Sequence, residues 1–173
     1  MKKILFLIGA SGSGKTTTLK KLERQGLANF KILHFDSIGV PSMQEMEAQY
    51  GSPEEWQKAK TSEWVSIIKK DFLPNINILF DGQTRPSFIE KACHENGIAE
   101  FEIILFDCSD DERKRRLIER GQSNLADENM MNWAKYLRKE CQDRGYLIID
   151  NTSMKIEETV SQLLAYLHWV APC

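Results

Sequence analysis

Apolar residues divide the chain into short apolar runs separated by longer segments with helical spacing. Five apolar runs, each followed by a polar residue or a glycine, occupy positions 3–8, 31–35, 77–80, 102–106 and 146–149. The segments with apolar side chains three and four residues apart are 15–25, 53–72, 86–96, 110–120, 128–143 and 155–169. Short apolar runs predict buried strands, and the three-to-four spacing predicts amphipathic helices.

Strands that alternate with helices are typical of a parallel sheet, because each right-handed crossover places a helix on one face of the sheet. We therefore predict an α/β fold, a three-layer α/β/α sandwich around a five-stranded parallel sheet. The sequence contains no internal repeat, low-complexity tract or linker that would mark a second unit. It predicts a single domain over residues 1–173.

The composition narrows the choice of partners. Hydrophobic residues make up 42% of the chain and charged residues 28%, with a formal net charge of -2, as in ordinary globular proteins. This near-neutral charge provides no general basic surface for duplex nucleic acid, so a nucleic-acid partner is not expected. No apolar run approaches the length of a membrane span, so a membrane partner is not expected either.

The apolar start of the chain and the cysteines bear on the cellular location. The stretch from Ile4 to Ala10 follows two lysines, as in a secretory signal. It is short, however, and its end belongs to the glycine-rich loop described next, so we interpret it as the first strand. The cysteines show neither a C-x-x-C pair nor a metal-ligand spacing, and they are Cys93, Cys108, Cys141 and Cys173. We expect reduced thiols and a cytoplasmic location.

A glycine-rich segment follows the first predicted strand. Residues 9–16 read Gly-Ala-Ser-Gly-Ser-Gly-Lys-Thr, the phosphate-binding P-loop (Walker A) pattern, between a strand and a helix. In such a loop, backbone N–H groups and the helix N-terminus converge on phosphate oxygens. We expect Lys15 to neutralise the β- and γ-phosphates and the Thr16 hydroxyl to ligate Mg²⁺. The predicted nucleotide-binding residues are Gly9, Ser11, Gly12, Ser13, Gly14, Lys15, Thr16 and Thr17.

Acidic residues follow the other predicted strands, at the edge where parallel α/β sheets bind ligands. They are Asp36, Asp81, Asp107 and Asp150. Asp81 closes an apolar run in the manner of a Walker B aspartate that holds Mg²⁺, with an Asp-Gly turn as the alternative. For Asp107 and Asp150 we favour helix capping or turn formation. Arg85 follows four residues after Asp81 and is predicted to point into the same cleft, where it would bind a phosphate or carboxylate.

Residues 81–86 read Asp-Gly-Gln-Thr-Arg-Pro and are similar to the Asp-Gly-Phe-Pro-Arg-Thr segment of adenylate kinases. Together with the P-loop, this segment makes the chain resemble the P-loop nucleotide and small-metabolite kinases. The resemblance implies the P-loop nucleoside triphosphate hydrolase fold of the nucleotide-kinase type. It also implies that the protein uses ATP and Mg²⁺.

The same resemblance implies arginines at the base of a mobile lid that grip the phosphates. We assign this role to Arg116 and Arg120, four residues apart on one helical face, and the short lid to residues 121–129. Arg138 is a further candidate lid arginine. The remaining basic residues of the run are interpreted as a solvated helix face, and these are Arg113, Lys114 and Arg115.

In these kinases the region between the second and third strands, here residues 37–75, binds the acceptor. Nucleoside monophosphate kinases usually carry an arginine there, whereas residues 37–57 of this chain contain no Arg or Lys and four Glu. Both a phosphorylated and an uncharged acceptor therefore remain open. Residues 34–41 resemble the corresponding stretch of chloramphenicol phosphotransferases, which implies that Asp36 takes the proton of the acceptor hydroxyl or orients it. The alternative for Asp36 is a helix N-cap.

The sequence predicts an ATP- and Mg²⁺-dependent kinase that transfers the γ-phosphoryl group to a small-molecule acceptor, either a hydroxylated metabolite or a nucleotide. A polynucleotide 5′-hydroxyl kinase and a nucleotide-binding regulatory NTPase are the alternatives. The catalytic candidates are Lys15, Asp36, Arg85, Arg116 and Arg120, and the metal ligands are Thr16 and Asp81. No chemistry is assigned to His34 or His94, and Trp56 and Trp64 are expected in the core.

Overall fold

A computed structural model describes residues 2–27 and 29–170 and contains the predicted sheet. Its strands are β1 (Ile4–Ile8), β2 (Phe30–His34), β3 (Asn77–Gly82), β4 (Phe101–Asp107) and β5 (Leu147–Asp150). They pair in the order β2-β3-β1-β4-β5, and every pairing is parallel. The predicted five-stranded parallel sheet is confirmed.

Helices connect the strands close to the predicted positions. They are α1 (Lys15–Gln25), α2 (Met43–Tyr50), α3 (Pro53–Ile67), α4 (Pro86–Glu95), α5 (Asp110–Glu119), α6 (Glu128–Arg144) and α7 (Ile156–Val170). The prediction missed α2, although Ser42 and Glu45 form a capping box at its start. It also placed a single helix over 53–72. In the structure α3 ends at Ile67, and a π-helical turn over Ile68–Phe72 follows it directly.

The core forms two layers, one on each face of the sheet. Alternate residues of β1 divide between them, because successive side chains of a strand point to opposite faces. Phe6 packs on the side of α3, α4 and α6, while Leu5 and Leu7 pack on the side of α1 and α7. The three-layer α/β/α sandwich is therefore confirmed. Trp56 and Trp64 lie in the first layer, as expected.

The cysteines that the structure describes are buried free thiols, namely Cys93, Cys108 and Cys141. Burial raises the pKa of Cys93 and of Cys141 to about 12, so both thiols stay protonated at neutral pH. Cys173 lies outside the described residues. Within residues 2–27 and 29–170, no helix has the length and hydropathy needed to cross a membrane.

The strand order fixes where the loops meet. β1 lies at the centre of the sheet between β3 and β4, and β2 lies beyond β3. Because the strands are parallel, the loops after β1, β2 and β3 leave the same edge of the sheet. The P-loop therefore lies next to the segments that carry Asp81 and Asp36, at the kind of crevice where α/β sheets bind ligands.

A substitution at Phe80 tests the packing of the first core layer. Its ring lies edge-on to Phe6, Phe35 and Trp64 at centroid distances of 5.7, 6.2 and 5.3 Å, and only 1% of the residue is exposed. Replacing it with alanine leaves a cavity, so we expect Phe80→Ala to lower the free energy of unfolding by about 3–5 kcal/mol in urea denaturation. The control Ile118→Ala, at an exposed site, should change it by less than about 0.5 kcal/mol. Equal losses in both variants would contradict this packing.

Candidate active site

Two glycines of the loop between β1 and α1 lie directly against other parts of the chain. Gly9 has a φ of 155°, and a Cβ there would lie 2.5 Å from the main-chain oxygen of Phe106. Gly12 has a φ of 80°, and a Cβ there would lie 3.0 Å from Cγ of Arg113. The backbone of the loop therefore packs directly on β4 and α5, which gives it a fixed shape.

The loop forms one wall of a cleft of about 380 Å³ at the carboxyl edge of the sheet. The ends of β2 and β3 form the opposite wall, and Arg120 and Leu125, which follow β4, also line the cleft. Among the predicted site residues that line this cleft are Lys15, Thr16, Asp36, Asp81 and Arg120. The structure therefore brings together predicted phosphate-binding, metal-binding and acceptor-side residues that are far apart in sequence.

Lys15 is buried, and its Nζ donates to the main-chain oxygen of Gly9 at 2.5 Å. Burial lowers the pKa of its ammonium below the ordinary value, and the negative charge of Asp81 opposes that shift. An anion bound in the loop would favour the charged form further. The lysine is thus placed to neutralise a phosphate.

Asp81 pairs with His34, to which no chemistry was assigned from the sequence. Nδ1 of His34 lies 3.1 Å from Oδ2 of Asp81, and Nε2 lies 3.6 Å from Oε1 of Glu23. The hydrogen bond with Asp81 raises the pKa of His34 above its ordinary value. No sequence pattern shows this pair, because it depends on the register that makes the two residues direct neighbours on the parallel strands β2 and β3.

Two buried polar atoms at the cleft lack partners among the residues that the structure describes. They are Oγ of Ser13 and Oδ1 of Asp81. A buried polar atom without a partner costs about 1–3 kcal/mol, so such atoms suit a site that a ligand completes. The loop geometry, Lys15 and these two oxygens therefore fit a nucleoside triphosphate with its Mg²⁺, because this cation prefers oxygen ligands.

Asp36 lies in a 3-10 helical turn at Phe35–Ile38, directly after β2, and faces the cleft. Ser42 caps the next α-helix, and the turn itself begins after His34 without a side-chain cap. The N-cap alternative for Asp36 is therefore wrong. Partial desolvation, followed by the charge of Asp81, raises the pKa of the Asp36 carboxyl above its ordinary value.

Arg116 is tied to the P-loop through Asn151, the residue after β5. Its NH1 and NH2 groups donate to Oδ1 and the main-chain oxygen of Asn151 at 2.7 and 2.9 Å. Nδ2 of Asn151 donates in turn to the main-chain oxygen of Ser13 at 2.8 Å. Arg120 is exposed at the edge of the cleft, where its Nε donates to Gln122 at 2.9 Å. Of the two arginines, Arg120 is the one that lines the cleft.

The interpretation of Arg113 as part of a solvated face is wrong, because its side chain is completely buried. Its guanidinium donates to Oδ1 of Asp107 at 2.6 Å and to the main-chain oxygen of Ser11 at 2.9 Å. Lys114 and Arg115 are exposed, as expected. The sequence contains one indication of this burial: Arg113 lies four residues before the apolar Leu117, on the same, buried face of the helix.

Asp107 accepts from two arginines and is not a cap or a turn residue. Its Oδ1 binds Arg113 and its Oδ2 binds Arg138, which comes from α6. The candidate lid arginine Arg138 is therefore held by Asp107 and is not among the residues that line the cleft. Asp150, in contrast, accepts from the Thr152 backbone and hydroxyl, as a turn residue does.

Arg85 lies beside the cleft and not in it. It lines a second cavity of about 440 Å³ together with Ser52, Pro53, Glu54, Gln57 and Trp133. The prediction that Arg85 shares the cleft of Asp81 is therefore wrong. The proline that follows Arg85 starts α4 and leaves the arginine outside the helix, directed towards α3 and α6.

The parallel sheet and the glycine loop at the exit of β1 define a P-loop α/β fold. The family model described as "AAA domain" matches residues 5–131, which is more than half of the chain. The chain belongs to this family of AAA domains. No curated protein matches the sequence at a significant level.

Solved structures of kinases have the same fold along nearly their whole length. A sugar kinase from Janibacter sp. HTCC2649 has a TM-score of 0.64 at 13% identity, covering 96% of this chain and 95% of that one. A gluconokinase from Sinorhizobium meliloti 1021 has a TM-score of 0.65 at 17% identity, covering 98% of this chain and 93% of that one. A shikimate kinase from Acinetobacter baumannii in complex with shikimate has a TM-score of 0.64 at 12% identity, covering 100% of this chain and 97% of that one. The predicted resemblance to P-loop small-metabolite kinases is thus confirmed at the level of the fold.

Substitutions of the buried pair Asp107 and Arg113 test how much this ion pair beneath the P-loop stabilises the protein. Asp107→Asn leaves a buried guanidinium without its counter-charge, so we expect a loss of about 3–5 kcal/mol in the free energy of unfolding. The double variant Asp107→Asn with Arg113→Met should cost less than the sum of the single changes. Urea denaturation of the three variants measures both quantities.

Arg115→Met is the matched control, because Arg115 pairs with acids on the same helix at an exposed position. It should change the free energy of unfolding by less than about 1 kcal/mol. Strict additivity of the two buried substitutions would show that Asp107 and Arg113 do not stabilise each other.

Proposed function

We propose that the protein is an ATP- and Mg²⁺-dependent kinase that transfers the γ-phosphoryl group of ATP to a hydroxyl group of a small molecule. The observation that carries this proposal is the cleft, which has the P-loop and Lys15 on one wall and two strand-end acids, Asp81 and Asp36, on the other. Phosphoryl transfer needs positioned reactants and cations around the phosphate oxygens more than it needs covalent chemistry.

The P-loop wall accounts for the nucleotide side of the reaction. Backbone N–H groups of the loop, the Ser13 hydroxyl and Lys15 would bind the phosphates, with Arg120 at the edge of the cleft and Arg116 behind it. The Thr16 hydroxyl and the unpaired Oδ1 of Asp81 are the protein ligands that would hold Mg²⁺. When bound, Mg²⁺ supplies positive charge that neutralises the β- and γ-phosphate oxygens.

Asp36 accounts for the acceptor side. Its carboxylate would accept the proton of the acceptor hydroxyl while the hydroxyl oxygen forms a bond to the γ-phosphorus. The bond between that phosphorus and the bridging oxygen breaks, and ADP leaves. The raised pKa of Asp36 supports this role, because a carboxylate with a pKa closer to neutral is a stronger base.

Two segments would enclose the reactants. Residues 121–129 would act as a short lid, because Gln122 and Leu125 already line the cleft. Residues 37–75, with α2 and α3, would hold the acceptor, and Trp64 fixes this segment by donating to the main-chain oxygen of Phe35 at 3.1 Å. Closure over the cleft would exclude water and so limit the hydrolysis of ATP.

A kinase differs from a regulatory NTPase in what stimulates turnover. The proposed enzyme should release ADP slowly alone and much faster with its acceptor, whereas a switch NTPase would respond to a protein partner. A polynucleotide kinase would respond to an oligonucleotide with a 5′-hydroxyl. The organisation as one domain over 1–173 and the cytoplasmic location remain predictions from the sequence.

Lys15→Ala tests the nucleotide site. Because the substitution removes the cation at the phosphates, we expect acceptor-stimulated ADP release to fall about 100-fold or more. Calorimetry should also show weaker binding of Mg·ATP, while circular dichroism stays unchanged.

Lys114→Ala is the control, since Lys114 is an exposed lysine on α5. It should leave ADP release and Mg·ATP affinity as in the wild type. Turnover at the wild-type rate in Lys15→Ala would remove the P-loop from the mechanism.

Asp36→Asn tests the acceptor side. The variant cannot take a proton, so we expect kcat to fall about 100-fold or more while Mg·ATP affinity stays within about twofold. In the wild type, protonation of Asp36 abolishes the base as the pH falls. Its raised pKa therefore places the acid limb of kcat/KM above the ordinary carboxyl range.

That acid limb should be absent from the residual activity of Asp36→Asn. The exposed acid Asp111 gives the control, and Asp111→Asn should retain both the rate and the limb. A variant Asp36→Asn with wild-type kcat would exclude Asp36 as the base.

A further inference from the structure

We propose that the acceptor carries no carboxylate or phosphate group and is an uncharged or amine-bearing alcohol. This inference rests on the proposed kinase function and concerns the same site. It follows from the contacts of Arg85, the residue that would bind an anionic acceptor, because both outer nitrogens of this guanidinium already have partners within the chain and aromatic rings surround it.

The cavity of Arg85 adjoins the cleft through two glutamines. Gln83 lines the cleft, and its Nε2 donates to the Ser11 hydroxyl of the P-loop at 3.0 Å. The main-chain oxygen of Gln83 accepts from Nε2 of Gln57 at 2.6 Å, and Gln57 lines the second cavity. The two cavities thus share one hydrogen-bonded wall. The second cavity, at the start of α3, lies within the segment proposed to hold the acceptor.

Both outer nitrogens of Arg85 already have partners within the chain. NH1 donates to Oε1 of Gln57 at 2.8 Å, and NH2 donates to Oε2 of Glu54 at 3.2 Å. A carboxylate or phosphate needs both arms of the guanidinium for a two-pronged contact. It would have to displace Gln57 and compete with the negative charge of Glu54.

Aromatic rings occupy the surroundings of the same guanidinium. Its central carbon lies 5.2 Å from the ring centroid of Phe88, 5.0 Å from that of Trp133 and 5.4 Å from that of Tyr136. Such contacts stabilise a cation and hold it in one position. Only 19% of the Arg85 side chain is exposed, so it has little freedom to turn towards an incoming anion.

The charged residues of the acceptor segment also favour an acceptor without a negative charge. Residues 37–57 contain four Glu and no Lys or Arg. The first lysines that follow are committed elsewhere, because Lys58 pairs with Glu55 and Lys60 pairs with Glu63. Asp36 adds a further carboxylate at the cleft. Residues 37–57 therefore supply no cation for an anionic acceptor, whereas a neutral or amine-bearing alcohol needs none.

Sulfate provides a probe of Arg85 that does not depend on the carbon skeleton of the acceptor. The full chain is first saturated with Mg²⁺ and a non-hydrolysable ATP analogue, so that sulfate cannot occupy the P-loop. Sulfate is then titrated by calorimetry at constant ionic strength into the wild type, Glu54→Gln and Glu55→Gln. Glu55→Gln is the matched control, because it makes the same charge change one residue away from a glutamate that pairs with Lys58.

We expect Glu54→Gln to bind sulfate at least about fivefold more tightly than the wild type, which corresponds to about 1 kcal/mol. Glu55→Gln should behave as the wild type, and adding Arg85→Met to Glu54→Gln should abolish the gain. Equal sulfate binding by the wild type and Glu54→Gln would overturn the inference. So would a lack of binding by both, because Glu54 would then not be what keeps anions from Arg85.

A second measurement uses polyol acceptors that share a carbon skeleton and differ in the charge-bearing group at one end. ADP release is compared with glucitol, glucamine and gluconate, and then across a wider panel of neutral, amine-bearing and carboxylate alcohols. Stimulation confined to neutral and amine-bearing compounds supports the inference, and preferential stimulation by carboxylates overturns it. Failure of the nucleotide analogue to bind would instead refute the proposed kinase function, so the two failures are distinguishable.

Discussion

The close contact between the P-loop and the end of β4 is the constraint on which the rest of the site depends. At Gly9 the loop approaches the main-chain oxygen of Phe106 so closely that no side chain fits between them. Arg113 and Asn151 then bind main-chain oxygens of the loop from α5 and from the end of β5. Three separate parts of the chain thus fix one short backbone segment. A phosphate site made of backbone N–H groups needs this rigidity, because the donors cannot be repositioned one by one.

The features predicted correctly from the sequence depend on short stretches of chain. The strands follow from apolar runs, and the P-loop follows from eight consecutive residues between a strand and a helix. Helix α2 was missed because it is short and buries a single residue, Met46, although Ser42 and Glu45 mark its start. The strand-end rule also located Asp81 and Asp36 at the cleft, since parallel strands share one carboxyl edge.

The features that the sequence did not predict depend on which side chains meet in three dimensions. His34 acquires a role only because the register of β2 and β3 sets it beside Asp81. Arg85 and Arg113 are both arginines near the ends of strands, yet one lies among aromatic rings and the other is buried under the P-loop. Composition does not distinguish such environments, because each depends on a contact with a distant segment, Trp133 for Arg85 and Ser11 for Arg113.

The buried arginine under the P-loop has a thermodynamic consequence. Asp107 carries one negative charge and contacts two arginines, so this group retains one net positive charge next to the glycine loop. That charge repels the ammonium of Lys15, whose pKa is lowered mainly by burial and to a smaller extent by Arg113. On the function proposed above, a polyphosphate bound in the loop would offset this repulsion, and its binding would stabilise the folded chain.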